Sequence, residues 1–221
     1  MKLFGYIGRK AVRTSTLATQ LQHYSPYTAP HTANPVSLEP AQALENLAYL
    51  QNNKAQRLDT LHELLTLHGI AIKPALQGEP YEPMVESLYR WAQQEWPQAA
   101  APAVAQRAMW RETTRQDNEI IYSLVMDCAI ALGELVIHHR PDFSWAVDLD
   151  PQNIKDQMPS AHRVVLQAPS LSHPGQHVLI DWEELTVAML LNPTSAANRV
   201  INLWQRVCAE AISGATQGQH V

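Results

Sequence analysis

A chain of 221 residues, 46% of them hydrophobic, is long and apolar enough to bury a full core, which excludes disorder throughout. Its net charge of −5 is unevenly placed: Lys2, Arg9, Lys10 and Arg13 are the only charged residues before Glu39, leaving −9 for the remainder. Such a balance offers no broad basic face for phosphate neutralisation, so direct nucleic-acid binding is not expected.

In chain order, MKLFGYIGRKAVRT breaks its apolar run with Gly5, Gly8, Arg9 and Lys10 and so reads as no secretory leader. Residues 1–40 hold Pro26, Pro30, Pro35 and Pro40 among Ser, Thr and Asn, the composition of an extended arm rather than of long helices. From 41 to 221 the pattern is that of one domain, helical over 41–138 and mixed over 143–214. Leu44, Leu47, Leu50, Leu58, Leu61, Leu64 and Leu65 recur at helical spacing and stop at His68-Gly69. Met84, Val85, Leu88, Trp91 and Ala92 form another stripe, ended by Pro97.

The segment Asn118 to His138 is apolar almost all the way round, as befits a helix at the centre of a domain. It carries Asp127 and Glu134, so no long run free of charge marks a membrane span. After Arg140-Pro141 the period changes to that of strands in SWAVDLD, RVVLQ and HVLI. Asp181 with Glu184 forms a capping box for a helix through Leu191, and a last helix runs from Thr194 or Ser195 to a stop at Gly214. The fold class expected is α+β, mostly helical with a small antiparallel three-stranded sheet in the C-terminal half.

Two features of the central helix bear on chemistry. Ser123, Asp127, Glu134 and His138 share one stripe, and two carboxylates with an imidazole on one face are the makings of a metal-assisted hydrolase. The competing expectation is that the stripe is the solvent-facing edge of an otherwise buried helix, or that Asp127 and Glu134 tie the helix to neighbouring backbone donors, since HExxH and calcium-loop signatures are missing. Gly133 inside a helix costs roughly 1 kcal/mol against alanine, which points to close packing by a backbone or a ring, with Trp145 the candidate and its indole N–H free for one hydrogen bond.

Other enzyme signatures do not assemble. Cys128 and Cys208 both fall in apolar helical patterns and read as buried thiols. Phosphate-binding glycine loops and a nucleophile elbow are absent from the sequence, and the ten histidines are dispersed. No cofactor is expected.

The run YSLVMDCAIALGELVIHHRPDFSWAV, with LHELLTLHGI and ESLYRWA before it, resembles a pattern in uncharacterised bacterial proteins that include immunity-type proteins, which neutralise toxins: a helix with an internal Asp, then LGE, then a basic-Pro turn and a Trp-bearing strand. The resemblance assigns no catalytic residue. It implies a cytoplasmic, non-membrane protein whose work is to bind another protein, a cognate toxin among the candidates.

A binding role also follows from the six tryptophans against two phenylalanines and from carboxylates concentrated in the second half, which would steer a basic partner. Asp142, Asp148, Asp150 and Trp182 are the expected partner-binding residues. A third expectation is an adaptor or chaperone that docks through the basic N-terminal arm.

Overall fold

The computed structural model describes residues 16–34, 37–105, 110–171, 173, 175–195 and 201–214. It is α+β: helices surround one central helix, and an antiparallel sheet of order β1-β2-β3 lies in the C-terminal half.

Helix α1 (Thr16–Leu21) packs on α4 (Glu82–Ala99) and buries Leu17 and Leu21. The extended stretch that follows is not a detached arm, because Tyr24 and Tyr27 are buried in the core. The basic residues Lys2 to Arg13 lie outside the described residues.

The leucine stripe forms a single helix, α2 (Pro40–Thr66), opened by a capping box in which Glu39 and Gln42 satisfy each other's backbone N–H groups. Gly69, at φ +73°, lets the chain turn out of it. The short α3 (Lys73–Leu76) leads to α4, which runs past Pro97 to Ala99 instead of stopping before it. A proline in the last turn deletes one intrahelical bond near an end already short of partners, so the helix tolerates it there. After α5 (Pro102–Ala105), one-turn 3-10 helices at Trp110–Glu112 and Asp117–Glu119 lead into the central helix.

That helix, α6 (Ile121–His139), is buried from Ile121 to Gly133 without a break. It is long and apolar enough to cross a membrane, but 83% of its most apolar window is covered by the rest of the protein. Only packing on several sides can bury such a surface. α2, α3, α4, α8 (Trp182–Leu191) and α9 (Leu203–Ser213) supply it.

β1 (Ser144–Val147), β2 (Val164–Pro169) and β3 (His177–Ile180) occupy the three expected places. Register puts Trp145 opposite Leu166 and Leu166 opposite Ile180, so this apolar row faces the helices, while Gln167 and Leu179, also opposite each other, face outward. A helix not foreseen, α7 (Pro151–Lys155), interrupts the β1–β2 connection. α9 begins at Leu203, later than expected, because Asn202 Oδ1 caps it by accepting from the Gln205 N–H. Residues 196–200 lie outside the described set.

Candidate functional site: an internal ionic belt and an outer polar hollow

Helical geometry places Asp127, Glu134 and His138 along one side of α6, with Asp127 and Glu134 about 10 Å apart along the axis. Each is claimed by a different neighbour. Asp127, fully buried, accepts from Arg57 Nε at 2.8 Å, Arg57 Nη2 at 2.5 Å and Tyr24 Oη at 2.5 Å. Glu134 accepts from Lys54 Nζ at 2.8 Å and from the Trp145 indole N–H at 2.7 Å. His138 is exposed, with Nε2 beside Gly78. The three do not converge on a pocket, and no group of three metal-ligating side chains occurs among the described residues. The hydrolase centre expected on Asp127, Glu134 and His138 is therefore not formed.

Burial pushes the Asp127 carboxyl up, and Arg57 and Tyr24 hold it down, leaving it at about 6. Burial and the Asp127 charge raise the Tyr24 phenol well above its ordinary value. Arg57 also donates to the carbonyls of Ser25 and Pro26, and Ser123 Oγ accepts from the Tyr27 N–H while donating to the Arg115 carbonyl. The polar residues of α6 thus strap the N-terminal stretch onto the core. Hydrogen-bonding every lone pair is what makes such desolvated charges tolerable.

The belt continues from there. Arg115 pairs with Glu183 at 2.6 Å, and Arg163 reaches Asp181 at 2.5 Å and Glu183 at 3.1 Å. The guanidinium groups of Arg111 and Arg163 both lie over the Trp110 ring, at 5.1 and 4.6 Å from its centre. Asp181 caps α8 by accepting from the Glu184 N–H, but the Glu184 side chain turns to Arg111 instead of completing the capping box.

Gly133 meets the expected ring. An added Cβ would stand 2.2 Å from Trp145 Cζ2, so only glycine lets the indole lie across α6 and reach Glu134.

The four expected partner-binding residues separate. Trp182 is fully buried and Asp148 is 2% exposed, so neither presents its side chain to a partner. Asp148 instead organises its loop, accepting from Asn153 Nδ2, Ser160 Oγ and the Asp150 N–H. Asp142, in the turn before β1, orients Arg140 through two 2.9 Å bonds, and Arg140 in turn donates to the carbonyls of Ala211 and Pro169. Asp150 is exposed and caps α7 by accepting from the Gln152 and Asn153 N–H groups.

Asp148 and Asp150 border a hollow of about 560 Å³ formed by the outer side of the sheet, the β2–β3 turn and the start of α7. The remaining polar walls are Gln152, Asn153, Gln167, Gln176 and His177. Among the described residues its lining carries two carboxylates and no Lys or Arg, and no Ser, Thr, Cys or Tyr. What it offers is hydrogen bonding and a negative field.

The buried arginines escaped the sequence reading, although Arg57 stands on the apolar stripe of α2 in register with Leu50, Leu61 and Leu64. A charge on a stripe that must be buried is the signal of an internal partner. The amides of the hollow leave no such signal, since they come from three separate segments.

No protein-family model, no curated protein and no solved structure matches the chain.

Proposed function

We propose that this chain is a cytoplasmic protein-binding protein of the immunity type, acting by occluding a partner rather than by chemistry, and that the partner seats on the outer side of the sheet at the hollow beside α7. The observation that supports this reading is the hollow itself: large enough for partner side chains, rich in amides, negatively charged and, among its described residues, without Ser, Thr, Cys or Tyr in its walls. Amide groups adapt as donors or acceptors, and an uncompensated negative field accelerates encounter with a basic surface such as a nuclease toxin's cleft.

A stable complex buries on the order of 1,200–2,000 Å² in total, so the hollow is the centre of a wider contact. Exposed Leu149 at the rim and Leu171 in the β2–β3 turn supply apolar area nearby. Asp150 is the residue whose charge is most available to the partner. The test is capture of a stoichiometric partner by the wild-type chain from its native cell, its retention through a moderate salt wash, and its loss in an Asp150→Asn, Gln152→Lys variant; retention by that variant would refute the placement.

A further inference from the structure

A second, smaller hollow of about 60 Å³ lies on the inner side, where the N-terminal stretch, the 110–119 segment, β2 and α8 meet. Its size is roughly the liquid share of two water molecules. His31, Ala33, Arg111, His162 and Glu183 around it are only partly buried, so a ligand has a way in.

Arg115 forms part of the wall, and its side chain is 8% exposed. The guanidinium lies over the Tyr27 ring, 5.2 Å from its centre, and Nη2 is paired with Glu183. The other terminal nitrogen, Nη1, is buried with no acceptor. Arg111 repeats the arrangement: Nη2 donates to Glu184 at 2.6 Å, and Nε is buried with no acceptor. A guanidinium has donors only, so what is unsatisfied here calls for an acceptor. Native proteins leave few such groups, and a missing ligand is one of the standard reasons.

The backbone bears the same mark. Arg115 and His162, both in the wall, adopt φ +58°, the left-handed region that residues with a side chain rarely occupy. Strain of this kind gathers at ligand sites.

We propose that this hollow binds a carboxylate group, with Arg115 Nη1 as the principal donor and Arg111 as the second donor at the mouth. Arg111, Arg115 and Arg163 face Asp181, Glu183 and Glu184, so the cluster is formally neutral before a ligand enters. The site therefore selects by donor geometry more than by net charge. It favours a monoanion with two acceptor oxygens, one for Arg115 Nη1 and one for Arg111, over chloride, and Glu183 on its wall disfavours the doubly charged form of phosphate. The carboxylate is carried either by a small free acid or by an acidic side chain of a protein. This proposal does not rest on the docking face on the outer side of the sheet.

The test is an NMR titration of the isotope-labelled full chain with sodium formate, sodium acetate and sodium phosphate against sodium chloride at matched ionic strength, following arginine side-chain N–H signals and the amides of residues 110–115. Expected are saturable shifts confined to this hollow with formate and acetate, weaker binding of phosphate and none of chloride. Arg115→Gln should raise the midpoint at least tenfold and Arg111→Gln about threefold. Ala33→Leu, which plugs the mouth without removing a donor, should abolish binding even if Arg115→Gln fails to fold. A blocked glutamate amide that competes with formate places the carboxylate on a protein side chain; its exclusion while formate binds assigns a small free acid. Shifts that grow linearly and equally with chloride, or wild-type binding by Ala33→Leu and Arg111→Gln, would overturn the proposal.

Discussion

In the belt beside α6, Arg57, Arg115 and Arg163 meet Asp127, Asp181 and Glu183 with no side chain more than 12% exposed, whereas around the outer hollow Asp150, Gln152 and His177 stand open to solvent. The same residue types serve different ends in the two places. Desolvated and fully engaged, a carboxylate holds elements together, because losing its partner would strand a charge in the interior. Solvated, it contributes little to folding and remains available to a partner. Burial therefore separates the acids that maintain this fold from those that can act for it.

The comparison breaks first at Arg57. Arg57→Ala strands Asp127 and releases the carbonyls of Ser25 and Pro26, and should cost about 3–5 kcal/mol, read by denaturant unfolding. Replacing both partners, Arg57→Met with Asp127→Leu, should recover only the part due to the stranded charge, since Tyr24 Oη and the carbonyls of Ser25 and Pro26 still lose their partners. Gly133→Ala comes next: its Cβ meets a rigid indole, so about 1–3 kcal/mol is lost and Trp145 fluorescence shifts as the ring leaves Glu134.

A smaller, graded effect follows from pH. The Asp127 carboxyl titrates at about 6 when folded, against 3.8 as a free side chain. The native state therefore takes up a proton before the unfolded chain does. Asp127's contribution favours folding fully below the lower value and is lost as pH rises through about 6. Relative to Asp127→Asn, the wild type should become less stable between pH 4 and 7, and the carboxyl carbon signal should titrate near 6. The least effect on folding is expected in the hollow. Asp150→Asn with Gln152→Lys keeps a capping oxygen on α7, so stability should change by no more than about 0.5 kcal/mol while partner affinity falls.

Much of this architecture is readable in the residues. The period of the apolar positions gives α2, α4 and α6, and the change of period after Arg140-Pro141 gives the three strands. Gly133 announces the Trp145 contact because a helix interior has no other use for a glycine there. Helix ends are less legible: Pro97 lies within the last turn of α4, and α9 takes Asn202 as its cap over earlier Thr and Ser residues. The candidate sites are the least legible part. Asp148 and Asp150 are two residues apart, yet one folds its side chain into the loop and the other points it to solvent, a distinction made by Asn153 and Ser160. Trp182, three residues past Leu179 of β3, is drawn inward by the start of α8, as a core anchor rather than the interface anchor it was also a candidate for.

The most direct test of the docking face compares three tagged chains in native-cell capture: wild type, the Asp150→Asn, Gln152→Lys variant, and Asp142→Asn as a control at the far end of β1. The account predicts one stoichiometric protein retained by the wild type and the control and lost by the hollow variant. Equal retention by all three, or no protein retained by the wild type, would contradict it.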